Sequence, residues 1–173
     1  MEEQDVRRMV IWAKRVLRPL AEESKLPDLR QSLQEAETGF RETLFSVPEN
    51  ALQELVGVGL MSPIDMLAHF SITMSWQAQH LREIRTGMTP IDEDLVSLFQ
   101  GAGEQSYSIL LDRYLLTWEG LLQEAGEADN VDRTSTHVWF GLLNCKEWII
   151  ASTSHFDYHR AQIEAVLQLA DGG

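Results

Sequence analysis

Cysteine is almost absent: Cys145 is the only one in 173 residues. No intrachain disulfide can form, and a lone thiol fits a reducing, cytoplasmic setting. No apolar run is long enough to cross a bilayer, and the opening MEEQDVRRMV lacks the basic-then-apolar order of a signal peptide. Positive charge is also scarce. Fourteen Lys and Arg stand against 27 Asp and Glu, a formal net charge of -13. Binding to nucleic-acid phosphates or to anionic membranes needs clustered cations, so neither partner is expected. The one basic cluster, Arg7, Arg8, Lys14, Arg15 and Arg18, is flanked by Glu2, Glu3, Asp5, Glu22 and Glu23 and reads as a solvated helix face. Sustained two-residue alternation and internal repeats are missing. So are a Gly-rich phosphate loop, a CxxC pair and a G-x-S-x-G elbow, which removes dinucleotide enzymes, zinc ribbons and α/β-hydrolases.

What is present is helical periodicity. Met9, Val10, Ala13, Val16, Leu17 and Leu20 make one apolar face over about 4–24. A second stretch opens at Pro27 and carries Leu29, Leu33, Ala36, Phe40, Leu44 and Phe45 before Pro48. Ser62-Pro63 reads as an N-cap and first turn of a helix that runs to Arg85 and stops at Gly87. A long helix is expected over about 93–125, on a stripe of Leu95, Leu98, Phe99, Ala102, Ile109, Leu110, Arg113, Leu116, Thr117 and Leu121. The polar GEADNVDRTST connects it to a last helix that starts at Phe140 or Asn144 and ends near Leu169. The expected architecture is all-α: an antiparallel four-helix bundle over 26–173, with an additional N-terminal helix over 1–25. That helix has an apolar face the bundle does not need, so it either pads the bundle or docks a second subunit, and a homodimer is expected.

Three of the five histidines invite chemistry. His155 and His159 in SHFDYHRAQI are four apart, so on a helix they face one way and can aim at one metal ion. The plainer reading leaves His155 half-buried and His159 solvated. His69, in IDMLAHFSITMSW, interrupts an apolar face. It is either a core imidazole bonded to a carbonyl or a third ligand from a neighbouring helix. Three nitrogen ligands would leave a coordination position open for water or substrate. His80 is eleven residues past His69, roughly 16 Å along the axis, so it cannot share that ion and is expected at a rim or surface. His137 lies by the polar connection and has no assigned role. Asp65 reads as a helix-start acid favoured by the dipole, with support of a ligand imidazole as the alternative. Arg113 reads as a half-buried stem or a surface bridge, and Trp76 and Trp148 as core. Cys145 reads as a small buried hydrophobe, about 15 Å along the helix from His155.

SPIDMLAHFSITMSW and TSHFDYHRAQIEAVL, in this order, resemble the DinB-like superfamily of four-helix-bundle metalloproteins. The shared pattern is one histidine after a core L-A-H segment, then an H-x3-H pair near the chain end followed by R-x-Q-I. His69, His155 and His159 occupy the matching positions, and the likeness spans about residues 27–170. Residues 1–25 have no counterpart, and Leu60-Met61 stands where the family carries a tryptophan. The SPIDMLAHF segment looks most like the branch containing the colibactin self-protection protein, a cyclopropane hydrolase. Other branches are similar to transferases that use mycothiol or bacillithiol. The resemblance implies a divalent ion, nickel or zinc, on the three histidines, and a small thiol as cosubstrate. It implies a hydrolase or thiol-dependent transferase acting on a small electrophilic molecule, or, in a different class, a non-catalytic protein that binds and sequesters such a molecule.

Overall fold

Helix boundaries fall where the breakers and caps stand. The computed structural model describes residues 11, 13–48, 51–53, 61–88, 106–129 and 132–171. A π-helical turn, Ala13–Leu17, leads into a short helix α1, Arg18–Glu23, and Ser24 then turns the chain into extended backbone. Leu17 and Ala21 point into the core, while Ile11, Val16 and Leu20 stay exposed. Helix α2, Leu26–Phe45, has Pro27 in its first turn, where the missing N–H costs nothing. Leu29, Leu33, Ala36, Phe40 and Leu44 are buried as the periodicity predicts, but Phe45 is exposed.

Helix α3, Pro63–Thr86, opens on a reciprocal capping box: Asp65 N–H donates to Ser62 Oγ, and Ser62 N–H donates to the Asp65 carboxylate. It closes on Gly87, whose φ of 73° favours a residue without Cβ. Helix α4 spans Tyr107–Glu127; the expected start of this helix, 93–105, lies outside the described residues. Its inward face is Leu110, Tyr114, Leu121 and Ala125. Ile109 and Leu116, expected inside, are 55% and 70% exposed, and Arg113 is half-buried. Leu110 and Leu121 of the expected stripe are buried, and the inward face also takes Tyr114, whose hydroxyl donates to the buried Glu37 carboxylate of α2 at 2.9 Å. Arg41 Nε lies 3.0 Å from the same carboxylate. Burial pushes the Glu37 carboxyl above its ordinary range, against the Tyr114 and Arg41 contacts that lower it.

The connection after α4 holds a hairpin that the sequence pattern does not announce. Strands β1, Ser135–His137, and β2, Gly141–Leu143, form an antiparallel hairpin pairing Ser135 with Leu143 and His137 with Gly141. Helix α5, Cys145–Asp171, follows directly. A second reciprocal box starts it: Asn144 N–H donates to Glu147, and Glu147 N–H donates to Asn144 Oδ1.

The four long helices form two intimate pairs, α2 with α5 and α3 with α4. Each pair is parallel. Lys146 at the start of α5 donates to the carbonyls of Ala21 and Ser24 just before α2, and Phe40 meets Phe156 further along. Likewise Phe70 meets Tyr114, and Arg82 and Arg85 meet the buried Glu124. The two pairs run antiparallel to one another. Arg30 near the start of α2 donates to the Ala125 and Ala128 carbonyls at the end of α4, and His69 and His80 of α3 meet His155 and Trp148 of α5 in reverse order. The bundle is therefore up-down-down-up, which requires one crossover connection, from α3 to α4. No helix among the described residues is long and apolar enough to cross a membrane.

Candidate metal centre

The capping box fixes where α3 begins, and one turn further on His69 enters the interface with α5. Met66, Leu67 and Phe70 around it are buried, so the register of α3 is set by packing. On α5 the four-residue spacing puts His155 and His159 on one face, above Phe156, which stacks flat on Phe70 at 4.6 Å. The antiparallel crossing of α3 and α5 brings the three imidazoles together. His155 Nε2 lies 2.9 Å from His69 Nε2 and 3.1 Å from His159 Nε2, and one nitrogen from each ring lies within 4.8 Å of the other two.

The electrostatics favour neutral rings. Burial, and then the charge of His159, pushes His69 down to about 4. Burial and the neighbouring His69, His159 and His137 hold His155 well below its ordinary value. Burial lowers His159 too, although its hydrogen bond to Gln162 works the other way. That bond, 2.7 Å between His159 Nδ1 and Gln162 Oε1, puts the His159 proton on Nδ1 and leaves the Nε2 lone pair facing the other rings. One proton on His155 Nε2 can satisfy one of its two Nε2 neighbours and not both. A cation could be met by one nitrogen from each of the three rings at once. The spacing is near the roughly 3–4 Å between ligands of one ion, so the triad is placed to hold a metal ion.

A cavity of about 280 Å³ opens on this cluster, lined by Met61, His69, Trp139, His155, Tyr158, His159 and Gln162. Asp65 is not among these residues. Its carboxylate accepts from Ser62 N–H and from Ser62 Oγ at 2.6 Å, which is the helix-start role. Cys145 is fully buried, and burial pushes its thiol up, as befits a small core residue. Trp148 is core, and Trp76 packs against it. A larger recess of about 380 Å³ lies between α1 and the start of α5. Its charged groups hold that junction together: Arg18 pairs with Glu147 at 3.2 Å, and Lys146 caps the α1 carbonyls.

Two histidines sit differently from expectation. His80 is 8% exposed, not at a rim, because the hairpin covers it. Its ring stacks on Trp148 at 4.7 Å, and its Nδ1 lies 2.5 Å from Ser135 Oγ and 3.2 Å from Glu83 Oε2. Ser135 also bonds Glu83, so β1 is fastened to the far half of α3. His137 has a role after all. Its Nδ1 accepts the backbone N–H of Trp139 at 3.1 Å and of Phe140 at 3.4 Å, and its ring stacks on Phe140 at 4.4 Å. Burial, and then the charge of His80, pushes it down to about 4, so it accepts as a neutral imidazole. The signal that could have found it is STHVWFGLL, where small and polar residues flank an aromatic turn ahead of Gly141 at φ 78°.

No family model matches the chain, and neither does any curated protein. Solved structures do. A four-helix bundle protein, TT2238, matches over 82% of this chain and 99% of its own, at 19% identity and a TM-score of 0.65. The mycothiol-dependent maleylpyruvate isomerase matches over 83% of this chain at 11% identity and a TM-score of 0.73, as does a point mutant of it. This chain spans 62% of the isomerase's length. At such identities the likeness establishes the fold alone, a four-helix bundle.

Proposed function

We propose that this chain is a divalent-metal-dependent enzyme of the DinB-like type, acting on a small electrophilic molecule by hydrolysis or by transfer to a small thiol. The observation that carries the reading is the convergence of three imidazoles on one cavity. When bound, nickel or zinc supplies Lewis acidity to the substrate or to a thiol cosubstrate. His69, His155 and His159 hold the ion. Gln162 orients His159, the kind of outer support that keeps a ligand ring in register. Phe70 and Phe156 close the inner side against water. The likeness to an isomerase that depends on mycothiol agrees with a thiol cosubstrate. The nearer placement beside the colibactin self-protection protein rests on SPIDMLAHF alone and draws no support from the solved structures.

One observation favours the alternative, a binding protein that sequesters its ligand. Asp65, the carboxylate nearest in sequence to His69, is committed to its capping box, and no acid lines the cavity among the described residues. Elemental analysis of tag-free protein tests the metal, and turnover of an electrophile panel with and without small thiols tests the chemistry. Bound metal with turnover supports the enzyme. Metal-free protein after purification and reloading overturns it.

A further inference from the structure

Trp139 and Tyr158 both line the histidine cavity, from the hairpin turn and from α5, and they are 40% and 59% exposed. Phe40, Phe70, Tyr114, Trp148 and Phe156 are fully buried, and the exposed Phe45 is not among the cavity's lining residues. No lysine, arginine or carboxylate lines the cavity among the described residues. Its polar groups are the three imidazoles and Gln162, whose carbonyl is engaged by His159. A charged group on a ligand would meet no counter-charge from these side chains, while a flat apolar ring would meet two aromatic side chains and Met61. The volume, about 280 Å³, suits one or two fused rings, at the small end of ligand sites.

Trp139 is held in place by more than its own side chain. The turn that carries it is tied at both N–H groups to His137 Nδ1, and Ser135 two residues earlier is tied to His80 and Glu83 of α3. A surface tryptophan on a slack loop would have no such fastening.

We propose that the cavity takes the flat, uncharged aromatic part of a small molecule, with Trp139 as its specificity-determining residue and His137 as the positioning residue that sets Trp139. The inference rests on the reading of the three histidines as the reacting end of the cavity. The probes are 2-naphthol and 2-naphthoate, one ring system with and without a charge. Each is titrated calorimetrically into the full chain at neutral pH, as purified and after metal removal, with metal content measured on the same samples.

In the metal-free chain 2-naphthol should bind at least about tenfold more tightly than 2-naphthoate. Trp139→Ala should weaken 2-naphthol by about tenfold, and Trp139→Phe by no more than about threefold, the scale of one aromatic contact. His137→Ala should weaken it similarly, and His137→Asn, whose Oδ1 can accept the same N–H groups, should restore it. Far-UV circular dichroism confirms that each variant is folded. Equal binding of both probes, binding of neither, or indifference to Trp139→Ala overturns the proposal. An equal loss in His137→Ala and His137→Asn removes the positioning role. Retained metal without naphthol binding sinks this inference and spares the metal reading, and naphthol binding by a chain that holds no metal does the reverse.

Discussion

Lowering the pH should destabilise the metal-free protein, and His137 should account for a measurable share. In the folded state its pKa is pushed from 6.5 down to about 4 by burial. The unfolded chain therefore binds this proton at a pH where the folded chain does not. The stability His137 contributes is fully present above about pH 6.5 and is withdrawn as pH falls towards 4. At 1.36 kcal/mol per unit, a single group shifted this far withdraws about 2 kcal/mol by pH 5 and about 3 kcal/mol in all. His69, His155 and His159 shift in the same direction, so wild type loses more. The assay is urea unfolding at pH 7.5, 6 and 5, followed by far-UV circular dichroism. The comparison is His137→Asn, which keeps an acceptor for the Trp139 N–H and cannot be protonated. The variant should lose about 2 kcal/mol less than wild type between pH 7.5 and 5. If the two curves fall in parallel, His137 is not a buried neutral base and the account of the hairpin is wrong.

His155→Ala should abolish stoichiometric metal, with affinity down more than about a hundredfold, and leave the helical signal intact; global unfolding on metal loss would make the site structural. Tyr114→Phe leaves the buried Glu37 carboxylate short of a donor and should cost about 1–3 kcal/mol, read as a lower urea midpoint; an unchanged midpoint would remove this pair from the core's supports. For assembly, we expect a homodimer through the exposed Ile11, Val16 and Leu20. Val16→Asp with Leu20→Asp should halve the mass found by light scattering, and an unaltered dimer would place the interface elsewhere. Anisotropy titrations with labelled single-stranded and duplex DNA at low salt should show no binding, given the net charge of -13; micromolar, salt-sensitive binding would contradict the charge argument.

The parts of the molecule governed by local rules were legible in the sequence. Ser62, Pro63, Asp65 and Gly87 mark α3 because capping and αL chemistry act within one turn. His155 and His159 were legible because four-residue spacing fixes a shared face; His69 stood out as a polar ring on an apolar face, and the family resemblance favoured its reading as a ligand over a core imidazole. The phase of α4 was legible only in part. The stripe holds both Ile109–Arg113–Leu116 and Leu110–Leu121, and only the second is buried, together with Tyr114, whose partner Glu37 stands on another helix. The hairpin escaped because three-residue strands have no period to detect. Without the hairpin, His80 reads as a rim residue and His137 has no role. The antiparallel bundle was readable, but not that its intimate pairs are parallel, since that depends on connections rather than on faces.

That pairing has a consequence for assembly of the chain. The main partner of α2 is α5, which begins a hundred residues after α2 ends. During synthesis Leu33, Phe40 and Leu44 therefore lack their final cover until α5 has been made. Topologies of this kind fold more slowly than bundles of sequential hairpins and expose sticky surface while they wait. The cluster His69–His155–His159 cannot exist before that moment either. An ion captured there would act as a latch closed late, slowing escape from the finished fold more than it speeds arrival.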